Sequence, residues 1–145
     1  MSKKPQETHE IFDRKVVKSH RDRAVRELSS FEFLFCEVAR MLADRLSDIR
    51  RRFPVALDVG CHTGQMAKIL KNLNKIDTII QCDLSEQMVR QTSGLRFAAD
   101  EEFLPVGNNM LNLLISCLSL HWVNDLPGCL IKMRKALKED GLFLA

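Results

Sequence analysis

The segment Val55-Ala-Leu-Asp-Val-Gly-Cys-His-Thr-Gly64 constrains this chain more than any other. A short apolar run stops at Gly60, a second glycine follows at Gly64, and Gln65 to Leu73 has helical spacing. That order reads as strand, tight turn and helix. In an open α/β sheet, ligands bind outside the carboxyl ends of the strands. Gly60 and Gly64 carry no side chain, so a ligand can reach the backbone there, and the amides of the following helix face it. A dinucleotide fingerprint would be spaced G-x-G-x-x-G. Here the spacing is G-x-x-x-G, and an acid, Asp58, precedes the first glycine. A carboxylate in that place suits a cationic ligand better than a pyrophosphate.

The texture on either side supports a parallel sheet. Thr78 to Cys82 is β-rich, Ser85 can cap a helix from Glu86 to Gln91, and Leu95 to Ala98 is a short strand. Leu111 to Cys117 reads as a buried strand, Asp125 to Leu137 as an amphipathic helix, and Gly141 to Ala145 as the start of another strand. Strands alternating with helices predict an α/β, Rossmann-like sheet with crossover helices. Upstream, Ile11 to about Leu28 is a charged helix candidate. Ser29 or Ser30 is placed to cap a second helix, which Arg50, Arg51 and Arg52 would end. The expected organisation is a flexible tail over 1–10, an N-terminal helical segment over 11–53 and a sheet domain over 54–145. Lys138-Glu-Asp-Gly141 reads as a helix end, so the chain stops inside its fifth strand, and the sheet is expected to be truncated there.

A chain of 145 residues suits one domain. No stretch of roughly 18 apolar residues exists, so no membrane span is expected. The first residues, MSKKPQETHE, lack an apolar core and carry acids, so no signal or transit peptide is visible. The five cysteines are odd in number and include no C-x-x-C, which points to a reducing, cytoplasmic compartment and to buried thiols. Residues 1–53 carry 13 basic and 9 acidic side chains. Acids dilute the run and aromatics are not interleaved with it, so it reads as a solvated helix face rather than a nucleic-acid arm.

Three further elements carry chemistry. Asp83 ends the Thr78–Cys82 strand, 23 residues after Gly60, where a carboxylate can accept two hydrogen bonds from ribose hydroxyls. Ala99-Asp-Glu-Glu-Phe-Leu-Pro105 places acids on the loop after the next strand, and Asp100, nearest the strand end, can accept the exocyclic amine of adenine. Ser116 to Pro127 holds the single Trp, Trp122, beside His121, at the same sheet edge. These two side chains either line a substrate pocket or pack in the core. No metal site is expected, since no H-x-D…H spacing for non-haem iron occurs.

Together these residues resemble the class I S-adenosylmethionine-dependent methyltransferases, whose first motif usually reads L-D-[LV]-G-C-G-x-G. His62 stands where that motif has its middle glycine, and its β-carbon narrows the loop. Ile11-Phe-Asp-Arg14, Ala43-Asp-Arg45, Arg52-Phe-Pro54, the acidic loop and Leu118-Ser-Leu-His-Trp-Val-Asn-Asp-Leu-Pro127 look like the methyltransferase-like arginine hydroxylases that assist assembly of respiratory complex I, and their alphaproteobacterial kin. These are similar in turn to the malonyl-carrier-protein methyltransferases of biotin synthesis. The resemblance implies S-adenosyl-L-methionine as cofactor, held by Asp58, Gly60, Cys61, Gly64, Asp83, Leu84, Asp100, Glu101 and Cys117. It implies a carboxylate or protein side chain as acceptor, on an acyl-carrier or protein substrate. It leaves open an arginine-hydroxylase-like or non-catalytic assembly role towards a complex I subunit. It names no catalytic base.

Overall fold

In the computed structural model, which describes residues 10–145, the strands are Phe53–Val59 (β1), Ile76–Asp83 (β2), Leu95–Ala98 (β3), Leu111–Ile115 (β4) and Leu137–Leu144 (β5). All five run parallel, in the order β3-β2-β1-β4-β5. Leu57 of the central strand faces Ile80 on one side and Leu114 on the other. The helices are Arg14–Ala24 (α1), Glu32–Ser47 (α2), Gln65–Lys71 (α3), Glu86–Arg90 (α4) and Leu126–Ala136 (α5).

Two apolar layers hold the sheet between them. Phe53, Ala56, Leu113 and Ile115 pack against Leu42 and Leu46 of α2 and Met66 and Leu70 of α3. Leu57, Val59 and Leu114 pack on the other face against Cys129 and Met133 of α5. Every residue of β4 is buried, as a parallel strand covered on both faces requires. Among the described residues no helix is long and apolar enough to cross a membrane.

Several boundaries differ from the sequence reading, each for a local reason. The first helix begins at Arg14 because Asp13 caps it, accepting from the amides of Lys15 and Val16, and it ends at Ala24 rather than Leu28. Neither Ser29 nor Ser30 caps the second helix. Leu28–Ser30 form a 3₁₀ turn, and α2 starts after Phe31 without a side-chain cap. Arg50, Arg51 and Arg52 lie beyond that helix, whose C-cap is Asp48. Strand β1 starts at Phe53, and Pro54 is tolerated because pairing with β4 begins only at Ala56. Lys138-Glu-Asp-Gly141 is no helix end: β5 begins at Leu137, directly after α5, with an irregularity between Leu111 and Leu113 that takes up the polar stretch. The tail expected over 1–10 falls, except for Glu10, outside the described residues.

Candidate functional site

The turn after β1 depends on left-handed backbone. Gly60 has φ +71°, His62 φ +51° and Gly64 φ +92°. Gly60 and Cys61 donate their amides to the Cys82 carbonyl at 2.8 and 2.9 Å, which ties the turn to the end of β2. A side chain in the left-handed region costs about 1–2 kcal/mol. His62 offsets this with three contacts. Its amide donates to Asp83 Oδ2 at 3.0 Å, its Nε2 meets the Cys117 carbonyl at 3.0 Å, and its ring lies 4.2 Å from that of Phe35. A carbonyl only accepts, so Nε2 carries the hydrogen. Burial lowers the imidazole pKa, so His62 is a neutral positioning group.

Four carboxylates gather at the carboxyl ends of β1, β2 and β3. Asp58 is fully buried, and neither of its oxygens has a hydrogen-bond partner. Burial, reinforced by the nearby Asp83, pushes its pKa up to about 8. Strand alternation puts Asp58 on the face of Ala56, towards α2 and α3. Asp83 is equally buried; its Oδ1 accepts from the Ser85 amide at 2.9 Å and from Arg21 Nη1 at 3.1 Å. Glu101 is 1% exposed and accepts from Arg21 Nη1 and Ser119 Oγ, each at 2.7 Å, and from Arg14 Nη2. Burial alone would raise its pKa, but Arg21 and these hydrogen bonds hold it below the usual carboxylate range. Asp100 pairs with Arg14 at 2.9 Å and caps the following 3₁₀ turn through the Glu102 amide.

Next to this cage lies a pocket of about 380 Å³. Phe35, Met88, Leu118 and Trp122 give it apolar walls; His20, Arg21, His62 and His121 are its polar groups. Trp122 is 41% exposed and sits edge-on to Phe12 at 5.4 Å, so it is a pocket wall and not a core residue. Among the described residues no group of His, Cys, Asp and Glu is arranged to hold a metal ion.

The chain as a whole is similar to known proteins. The pattern of the methyltransferase-domain family matches residues 57–145. The chain belongs to this family. It is 42% identical over 144 residues to the human mitochondrial arginine-hydroxylase NDUFAF5, an alignment that takes in 94% of this chain and 41% of that protein. It is 26% identical over 148 residues to the malonyl-[acyl-carrier protein] O-methyltransferase of Gallionella capsiferriformans, with 92% of this chain and 51% of that protein covered. The methyltransferase-domain chain thus spans about half, or less, of these relatives. Among solved structures, a chain of the Haloferax volcanii complex containing the Trm112 methyltransferase activator superposes with a TM-score of 0.76 at 18% identity, over 85% of this chain and 57% of that one. The S-adenosylmethionine-dependent methyltransferase of Mesorhizobium loti gives 0.58 at 24% identity, over 64% of this chain and 45% of that one. Both likenesses concern the fold, the Rossmann-like sheet expected from the sequence.

Within that fold, Asp58, Gly60, Cys61, Gly64, Asp83, Glu101 and Cys117 sit at adjoining strand ends of the methyltransferase-domain sheet, and Leu84 follows Asp83 at the same edge. Asp100, the acid favoured on the sequence, turns to Arg14, whereas its neighbour Glu101 is the buried one. Arg14, Arg21 and Ser119 complete the cage, and none was a candidate on sequence. A usable signal existed: Arg14 and Arg21 are seven residues apart, two helical turns, so they share one face of α1.

Proposed function

We propose that this chain binds S-adenosyl-L-methionine across the carboxyl ends of β1 to β4 and serves methyl transfer to a carboxylate or a protein side chain. One observation carries the reading: a methyltransferase-domain fold brings Asp58 and Asp83, both fully buried, to either side of the Gly60–Gly64 turn. The residues fit the group. Asp58, without a hydrogen-bond partner, suits an ammonium or sulfonium. Asp83 suits the ribose hydroxyls, Asp100 and Glu101 the adenine amine, and Gly60, Cys61 and Gly64 a close approach of the aminoacyl part. Leu84 and Cys117 would be walls. When bound, the cofactor supplies an electrophilic methyl group. The chain orients the two reactants and excludes water. His62 is committed through Nε2 to Cys117, so it holds rather than shuttles a proton at that nitrogen.

The relatives' names suggest acceptors: an acyl-carrier-bound malonyl group in one case, an arginine in the other. A second reading, an arginine-directed or assembly role towards a respiratory complex I subunit, is favoured by the similarity to NDUFAF5 and by a cage that holds a guanidinium here. His121 and Trp122 would then line the acceptor's side of the pocket. All five cysteines are free, which suits a reducing compartment such as a bacterial cytoplasm.

S-Adenosylhomocysteine should raise the melting temperature of the full-length protein. At 100 times its Kd a ligand adds about 2.7 kcal/mol, several degrees for a protein of this size. NADH should leave it unchanged. Asp83→Asn should weaken the binding of S-adenosylhomocysteine by about tenfold or more, because charge-assisted bonds to the hydroxyls are lost. A melting shift with NADH alone would overturn the reading of the turn.

Asp58 predicts a proton signature. A carboxyl whose pKa is raised to about 8 in the fold favours the native state at low pH and loses that contribution as pH rises through about 8. A cation placed against it favours the ionised form. Binding of S-adenosylhomocysteine at pH 7 should therefore release a proton, and affinity should rise towards pH 8. Calorimetry in phosphate and in Tris, which differ in ionisation enthalpy, reads this release directly. Asp58→Asn should abolish it. Equal heats in the two buffers for the unmodified protein would remove Asp58 from the cofactor's surroundings.

A further inference from the structure

We propose that Arg21 is a built-in competitor for the cofactor: its guanidinium holds the ribose-binding carboxylate of Asp83, and the cofactor enters only when α1 withdraws. The proposal rests on the S-adenosylmethionine reading of the site.

Counting acceptor capacity leads there. A carboxylate offers about four lone-pair directions. Asp83 already accepts from Arg21 Nη1 at 3.1 Å, from the Ser85 amide at 2.9 Å and from the His62 amide at 3.0 Å. The two amides belong to the turns that follow β1 and β2 and stay with the fold. A ribose diol donates two bonds, and with Arg21 in place only one direction is left. Arg21 must release Asp83 before both hydroxyls can bind. The pocket gives the same answer. Arg21 lines the cavity of about 380 Å³, while Asp83 and Glu101 do not. The arginine is the partition between pocket and cage, and its departure joins the two.

The way α1 is attached makes it displaceable. Its one buried residue is Arg21 itself; Val16 in its first turn is 47% exposed, and Ile11 just before it is 73% exposed. The helix is held by charge and hydrogen bonds instead of apolar burial. Arg14 bridges Asp100, Glu101 and Glu102, Asp22 accepts from Ser85 Oγ, and Asn124 Oδ1 accepts the amides of Ile11 and Phe12. Arg21 also donates to Ser119 Oγ at 3.2 Å, so its guanidinium neutralises a cage that would otherwise hold buried acids without a cation. Latch and ligand thus exclude one another, and the latched population raises the apparent Kd by the inverse of the open fraction.

The test measures S-adenosylhomocysteine binding to the full-length protein by calorimetry, for the natural sequence and for Arg21→Gln and Arg21→Ala. Both variants are expected to bind more tightly, by about tenfold if one molecule in ten is open in the natural protein. Hydrogen exchange supplies a readout on the unmodified protein, which decides the matter should the variants fail to fold. Addition of S-adenosylhomocysteine should speed exchange of the α1 amides, residues 14–24. Binding by the natural protein with equal or weaker binding by both variants, or α1 amides that become more protected, would overturn the latch and leave the cofactor reading intact. Binding by none of the three proteins would instead remove the cofactor reading, and the latch with it.

Discussion

Glu101→Ala should destabilise the protein by about 3–5 kcal/mol, the range for removing one partner from a buried ion pair. The carboxylate is 1% exposed and receives Arg21, Arg14 and Ser119. Its loss leaves the buried Arg21 with Asp83 as its one carboxylate partner and takes the acceptor from the Ser119 hydroxyl. A surface pair provides the contrast. Glu37 and Arg40 are 66% and 62% exposed, so Glu37→Ala should cost less than about 1 kcal/mol. The pH dependence has a definite sign. Glu101 has its pKa lowered in the fold, so its contribution is complete above the unfolded value of about 4.3 and is lost as pH falls through the folded value. The stability gap between the natural protein and Glu101→Gln should therefore be full at pH 7 and shrink below about pH 4. Urea unfolding at pH 7, 4 and 3 measures it. A Glu101→Ala loss under about 1 kcal/mol at pH 7 would mean that the cage relaxes and solvates Arg21.

The same residue marks where sequence reading stops. The turn at Gly60–Gly64, the buried run of β4 and the Ser85 cap were legible because each is a local signal: a glycine, an apolar string, a hydroxyl before a helix. The side-chain accept from the Met88 amide confirms the last of these. The start of α2 was not, because a 3₁₀ turn carries Leu28 to Ser30 past the point where the serines would cap. Nor was the start of β5, whose first polar residues project to solvent and, with Gly141 after them, look like a helix end. At the site, strand-end acids were visible one by one, but what they bind was not. Arg21 meets Asp83 across 62 residues, Glu101 across 80 and Ser119 across 98. Charge in a helix reads as a solvated face unless its partner is known, and tertiary pairing has no period. How Asp100 and Glu101 divide the loop between them was illegible for the same reason: proximity to the strand end does not say which carboxylate turns inward.

Gly60→Ala should cost about 3 kcal/mol, from two separable sources. The first is the dihedral: at φ +71° an L side chain carries about 1–2 kcal/mol of strain. The second is contact. A β-carbon there would lie 2.1 Å from Ser119 Oγ and 2.2 Å from Ser119 Cβ, and overpacking of that kind costs about 1–3 kcal/mol. Gly94 separates the two. Its φ is +87°, yet a β-carbon would meet nothing within 4 Å, so Gly94→Ala should lose only the dihedral part. Ser119→Gly removes the obstructing atoms, at the cost of the hydroxyl's bond to Glu101. Combined with Gly60→Ala it should be less damaging than the sum of the two single changes, with a coupling of about 1–2 kcal/mol. Chemical denaturation of the natural protein and these four variants yields every term. Gly60 would then be required because Ser119 closes over the turn and carries the Glu101 cage with it. A Gly60→Ala loss no larger than that of Gly94→Ala would show instead that Ser119 gives way and that the dihedral alone selects glycine.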